Sequence, residues 1–153
     1  MKISIGCDQA GLTLKEELKA YLIEQGHEVV DVGTHTTDQV NWAEYSAKVC
    51  DNVISGDCER GIITCGTGVG MCMMANKIPG IRAVTIENPF TAARSVPDNN
   101  ANVCCMGSRV VTPQIAKMLL DIWLSQRYEE NASTWKIESM GELQREYAKK
   151  LYP

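Results

Sequence analysis

The 153-residue sequence has no basic excess, no long apolar run and no pair of cysteines at metal-binding spacing. Each absence argues against a class of function. Fifteen Lys and Arg stand against nineteen Asp and Glu, for a net charge of −4. Nothing is left over to neutralise a phosphate backbone, so no nucleic-acid partner is expected. No stretch approaches the ~20 apolar residues of a membrane helix. The start, Met1-Lys2-Ile3-Ser4-Ile5-Gly6, lacks the apolar core of a signal peptide. The expected setting is therefore the cytoplasm, with no membrane partner. No C-x-x-C occurs, and His27 and His35 lie beside no cysteine. A zinc site of the usual spacing is not expected, and no metal is assigned. Internal repeats, low-complexity segments and long linkers are also missing, which fits one domain over residues 1–153.

What is present is an odd set of seven cysteines, at positions 7, 50, 58, 65, 72, 104 and 105. An odd number cannot pair completely within the chain. In a reducing compartment most of them are expected to serve as small buried hydrophobes.

Short apolar runs alternate with helix-period stretches. Lys2–Cys7, Val29–Val32, Gly61–Cys65, Ile81–Ile86 and Asn102–Met106 read as strands. Leu12–Gln25, Asn41–Ile54, the stretch from Gly70 through Lys77, Pro89–Val96, Pro113–Trp123 and Trp135–Tyr147 read as helices. Thr112 suits a helix N-cap, and Pro113 the first turn after it. This alternation predicts a parallel sheet with helices on both faces. Ligands in such folds bind beyond the carboxyl ends of the strands. Three polar or glycine-rich loops are assigned there: Asp8–Gly11, Gly66–Gly70 and Pro97–Asn102.

Cys65-Gly66-Thr67-Gly68-Val69-Gly70 ends a strand and opens a helix. The glycines permit a sharp turn and close backbone approach to a ligand. Free N–H groups at a helix start carry partial positive charge, so this cradle suits a phosphate or an oxyanion. It is not a Walker loop, because no Lys-Ser/Thr follows. A helix N-terminus favours a thiolate, which sets Cys65 apart from the other six cysteines. Asp8 fits either a sugar hydroxyl or the cap of the following helix. Pro97–Asn102 fits either a polyol or a solvated turn. Arg109 is near enough to meet an anion, or is a surface charge. Trp42 either lines the site or faces the core. Trp123, Trp135 and the methionines Met71, Met73 and Met74 read as packing or interface residues.

These residues together resemble the family of ribose-5-phosphate isomerase type B and galactose-6-phosphate isomerase. The resemblance runs from Met1 to about Glu138. It is carried by Gly6-Cys7-Asp8, Cys65-Gly66-Thr67-Gly68-Val69-Gly70, Ala75-Asn76-Lys77, Pro79-Gly80-Ile81-Arg82-Ala83, Asn102-Val103 and Gly107-Ser108-Arg109-Val110-Val111. It implies a Rossmann-like three-layer α/β/α sandwich around a five-stranded parallel sheet, with the C-terminal helix at a dimer interface. It implies a homodimer or tetramer with shared active sites, and no metal or organic cofactor. The implied reaction interconverts an aldose phosphate and a ketose phosphate through a cis-enediolate. Cys65 would shuttle the proton, and Thr67 would assist it. Backbone N–H groups of Gly66, Gly68 and Gly70 would hold the enediolate oxygen. Asp8 and Asn99 would bind sugar hydroxyls, and Arg109 would help hold the phosphate.

Departures from the family pattern are as informative. Gln9 and Asp98 stand where the family usually has histidines, one on the phosphate and one opening the sugar ring. Gln9 can donate a hydrogen bond but carries no charge. Asp98 would be a weak base. A C-terminal pair of arginines beside a histidine is replaced by Ala132, Ser133 and Lys136, which keeps one point charge in Lys136. Arg94 is a candidate source of the missing positive charge. An open-chain substrate unites these changes, such as a tetrose phosphate that cannot close a furanose ring. The alternative is a non-catalytic or weakly catalytic partner subunit in a hetero-oligomeric isomerase.

Overall fold

The computed structural model describes residues 1–151. Strands β1 (Lys2–Cys7), β2 (Glu28–Asp31), β3 (Arg60–Cys65), β4 (Ala83–Thr85) and β5 (Val103–Gly107) form one all-parallel sheet. Their order across it is β2-β1-β3-β5-β4. Helices α1 (Leu12–Glu24), α4 (Pro89–Asn99) and α5 (Pro113–Ser125) cover one face. Helices α2 (Trp42–Ile54) and α3 (Gly70–Ala75) cover the other. Ile62, Cys104 and Met106 belong to the first core, and their neighbours Ile63 and Cys105 to the second. That alternation is the two-residue period of a strand buried on both faces. The result is the expected three-layer α/β/α sandwich with five parallel strands.

Three helix starts carry side-chain caps. Asn41 accepts from the Ala43 N–H, Asn88 from the Thr91 N–H and Thr112 from the Ile115 N–H. Among the elements that differ from expectation are α3, β4 and α4. α3 ends at Ala75 rather than Lys77, so it is only six residues long. β4 is three residues rather than six, because the Arg82 N–H is taken by Asn102 Oδ1. α4 runs on to Asn99 rather than stopping at Val96, with Pro97 tolerated in its last turn. Asn100, at φ 51, closes it.

The last difference corrects the placement of Pro97–Asn102. The segment precedes β5 and so lies at the amino edge of the sheet. Cys65 ends β3 at the carboxyl edge, paired with Gly107. The five residues of β5 separate the two ends by roughly 16 Å at about 3.3 Å per residue.

Lys15 on α1 is fully buried, and its ammonium bonds Asp31 Oδ2 at 2.8 Å and Glu16 Oε1 at 2.6 Å. Lys19 also reaches Asp31 Oδ2 at 2.8 Å. This cluster fixes the turn after β2, where the Thr34 N–H donates to the Cys7 carbonyl beside Asp8. Burial pushes the Asp31 carboxyl up, but hydrogen bonds from Lys15, Lys19 and the Gly33 N–H outweigh it, and the net shift is downward. A carboxyl held lower when folded stabilises the fold above its unfolded value of ~3.9, and that contribution is lost as pH falls through the folded value. Asp31→Asn is therefore expected to lower the urea midpoint throughout but flatten its fall below about pH 4. An acid slope identical to that of the wild type would remove Asp31 from this account.

Helix α6 (Thr134–Leu151) has no buried residue. Trp135, Met140, Leu143 and Tyr147 on it are each at least half exposed. Trp123 on α5, by contrast, is fully buried. No helix among the described residues is long and apolar enough to cross a membrane.

Candidate active site

β1 and β3 are neighbours, and the chain leaves them in opposite directions across the sheet. A crevice opens at their carboxyl ends, where such folds bind ligands. A cleft of about 350 Å³ lies there, lined by Asp8, Gln9, Ala10, Trp42, Cys65, Gly66, Thr67, Gly70, Met71 and Arg109. A groove of about 400 Å³ runs between α6 and the segment Asn76–Arg82. Its only charged side chain, Arg82, already donates from Nε to the Asn100 carbonyl. The cleft is therefore the candidate site.

Three loops interlock to build it. Ser108 Oγ donates to the Ala10 carbonyl at 2.7 Å, and the Ser108 N–H to the Cys65 carbonyl at 2.8 Å. Thr64 Oγ1 donates to the Gly11 carbonyl at 2.9 Å, and the Arg109 N–H to the Gly66 carbonyl at 3.1 Å. At Gly107 a Cβ would fall 2.5 Å from the Thr67 carbonyl carbon, so only glycine allows the β5 loop to close on the cradle.

Cys65 is 5% exposed at the floor of this cleft. The Gly68 N–H donates to its sulfur at 3.1 Å. That N–H, expected on an enediolate oxygen, is directed at the thiol in this structure. The backbone turn that aims it needs φ +77 at Gly68, a region that favours glycine. The Thr67 and Gly70 N–H groups make no hydrogen bond among the described residues and are left to a ligand. Thr67 Oγ1 accepts from the Val69 N–H at 3.3 Å, which keeps its own proton free to donate.

Asp8 Oδ1 accepts from the Ala10 and Gly11 N–H groups, both at 2.9 Å. Asp8 thus closes the loop ahead of α1 rather than capping the helix as expected, because the N-cap of α1 is Gly11, which has no side-chain cap; Oδ2 is left without a hydrogen bond among the described residues. Gln9 Oε1 accepts from the Val40 N–H at 3.2 Å, so its amide group is the part left to donate. Trp42 is 45% exposed and lines the cleft rather than the core. The Arg109 guanidinium lies 3.5 Å from where a Cβ on Gly66 would sit, and makes no hydrogen bond among the described residues. It is the one cation lining the cleft.

Asp98, Asn99 and Lys136 are not brought to this cleft within one chain. Arg94 Nε and Nη2 grip both oxygens of Asp98, at 2.9 and 2.5 Å. The positive charge expected of Arg94 is thus spent on Asp98, one helical turn away. Asn99 is exposed at the end of α4, and Lys136 is exposed on α6.

All seven cysteines are free and buried. Burial pushes the Cys7 thiol up to about 11 and the Cys50 thiol up to about 12, which keeps both protonated. Cys72 is an unforeseen exception. Hydrogen bonding with Cys105 brings it down to about 7 against the effect of burial, with Thr85 contributing. Ser108, Thr64 and Thr85 were also not legible as site residues, because their partners are distant in sequence. Among the described residues the one cluster with metal-ligand atoms near one another is Glu16, Asp31 and His35. Two lysine ammonium groups already occupy its carboxylates, so a cation would have to displace them.

The family described as Ribose/Galactose Isomerase matches residues 3–140. The chain is 42% identical over 139 residues to the ribose-5-phosphate isomerase B of Escherichia coli, covering 91% of this chain and 93% of that one. It is 35% identical over 142 residues to the D-erythrulose-4-phosphate isomerase of Pectobacterium atrosepticum, covering 92% and 93%. Its fold superposes on the Clostridium thermocellum ribose-5-phosphate isomerase B with a TM-score of 0.94. That pair is 39% identical, with 96% of this chain and 99% of the other covered.

Proposed function

The chain belongs to the ribose/galactose isomerase family and is an aldose–ketose isomerase, and from that premise we propose that it acts on a small sugar phosphate with Cys65 as the proton shuttle. The observation that carries this reading is the Cys65 sulfur held on the Gly68 N–H in a cleft whose one cation is Arg109. The thiolate removes the proton from C2 of the aldose, and the electron pair forms the C1–C2 double bond. The oxyanion on O1 is met by the free Thr67 and Gly70 N–H groups. The hydroxyl proton passes from O2 to the adjacent O1. The thiol then returns its proton to C1, which leaves the ketone at C2. One base suffices because the two carbons are adjacent. Arg109 and the Gln9 amide hold the phosphate, and Asp8 Oδ2 accepts from a sugar hydroxyl.

Asp98, Asn99 and Lys136 join this site from a second copy of the chain. The exposed apolar side chains of α6 and the roughly 16 Å between Cys65 and the start of β5 both support a homodimer with shared sites.

The substrate is an open-chain four-carbon phosphate in preference to ribose 5-phosphate. The cleft holds no imidazole, and Asp98 is engaged by Arg94. Ring opening needs a base at the anomeric hydroxyl; erythrose 4-phosphate and erythrulose 4-phosphate cannot close a furanose ring and need none. The test is turnover of the purified chain on four-, five- and six-carbon sugar phosphates. The four-carbon pair is expected to give the highest kcat/KM. Best turnover on ribose 5-phosphate, with no gain from Asp98→His, would overturn the assignment. Turnover by the chain alone would also dispose of the hetero-oligomer alternative, against which the presence of Cys65 already argues.

A further inference from the structure

Thr85 lies on the edge strand β4, outside the cleft, and has no part in the reaction as described above. Its Oγ1 donates to the Gly68 carbonyl at 3.2 Å. That is the one hydrogen bond this carbonyl accepts among the described residues. Gly68 is the residue whose N–H meets Cys65 Sγ at 3.1 Å, and it does so at φ +77. Its other neighbours restrict it without bonding it: a Cβ there would meet the Gly107 nitrogen and the Met106 carbonyl carbon at 3.0 Å and Thr85 Cγ2 at 3.2 Å. Three glycines in five residues leave the cradle backbone soft. The orientation of the Gly68 N–H therefore depends on a fixed partner for the rest of that residue.

We propose that Thr85 is a positioning residue for the proton-transfer thiol: by holding the Gly68 carbonyl from β4, it keeps the Gly68 N–H on Cys65 Sγ. The inference rests on the reading of Cys65 as the base. Thr85 lies outside the cleft and reaches Cys65 through the Gly68 backbone; it also hydrogen-bonds the Cys72 thiol. The other titratable or charged groups around Cys65 are Asp8 and Arg109 at the cleft and the thiols of Cys72 and Cys105 behind it. Of these groups only Cys72 is hydrogen-bonded by Thr85, so its ionisation changes with the variant and has to be scored apart from Cys65.

Thr85→Val keeps the shape and strand propensity of the residue and removes only the donor. Thr85→Ser keeps the donor. The native protein is treated with iodoacetamide across pH 5–10, and alkylation is scored peptide by peptide, so that Cys72, the other thiol near Thr85, is read separately. A hydrogen bond to a charged group is a strong one. Weakening it in Thr85→Val is expected to slow Cys65 alkylation near neutral pH by about three- to tenfold and to move its rate–pH curve to higher pH. The acid limb of kcat/KM, on the best substrate of the panel, moves the same way. Thr85→Ser restores both. A Cys65 curve unmoved in Thr85→Val, or one that moves only at Cys72, overturns the proposal. A loss of kcat in Thr85→Val with the pH profile unchanged also overturns it, because that is the mark of a merely structural role. If Thr85→Val does not fold, Thr85→Ala is read by the same criteria. The Cys65→Ser variant is assayed in parallel. Full turnover there would defeat the reading of Cys65 as base, and the Cys65 alkylation curves would still report on Thr85.

Discussion

Cys65→Ser is expected to lower kcat by about 10²–10⁴-fold, the usual worth of one positioned base, with KM little changed. The two side chains are close in shape. Serine at this position can still accept from the Gly68 N–H, so the loop should keep its conformation. What is lost is the base, because a hydroxyl is far weaker in acid than a thiol and does not ionise near neutral pH. The substrate still meets Arg109, Gln9 and Asp8, so binding persists. Cys65→Ala should behave alike, since the thiol is the only base in contact with the cleft apart from the capped Asp8. Steady-state kinetics with a folded variant, checked by circular dichroism, measures this. Wild-type kcat in either variant would move the chemistry to another group.

A second large effect is expected from α6. Placing charge on its apolar face, in the double variant Leu143→Asp with Tyr147→Asp, should give a folded monomer with less than about a hundredth of the turnover, the loss expected when groups that position a substrate are removed. No residue of α6 is buried within the chain, so the sandwich does not need it to fold. The exposed Trp135, Met140, Leu143 and Tyr147 instead form the apolar face that a second copy would cover. Separation of the copies would strip the Cys65 cleft of Asn99 and Lys136, which lie elsewhere in their own chain. Sedimentation velocity reports the mass, and the isomerase assay reports the site. A monomer with full turnover would end the shared-site reading.

The candidate site divides into parts that were and were not legible in the chain. The cradle was legible because all its parts are contiguous: a strand end, a thiol and three glycines within six residues. Asp8 was legible as a local acceptor, because Asx turns close within two or three residues, but it bonds Ala10 and Gly11 in the loop instead of capping α1. The pairing of Arg94 with Asp98 was not read, although the two stand one helical turn apart once α4 is known to extend past Pro97. A proline argues for a boundary, and here the last turn accommodates it. The position of Pro97–Asn102 followed from chain order alone, since a loop that precedes a parallel strand lies at its amino end. The polar residues of that loop drew it wrongly toward the other two.

By itself the sequence determined the alternation of strand and helix, the burial of strands on both faces and the contiguous cradle that sets Cys65 apart from the other cysteines. Apolar period and local turn chemistry encode these, and both act over a few residues. Only the tertiary structure decided the strand order β2-β1-β3-β5-β4, which makes Asp8 and Cys65 neighbours. It alone turned the Gly68 N–H onto the thiol and the Thr85 hydroxyl onto Gly68. It also left Asp98, Asn99 and Lys136 away from the cleft their own chain forms. Doubly apolar strands carry no mark of which strand lies beside them, and hydrogen bonds between distant segments leave no period in the sequence. Those relations exist only after the layers pack.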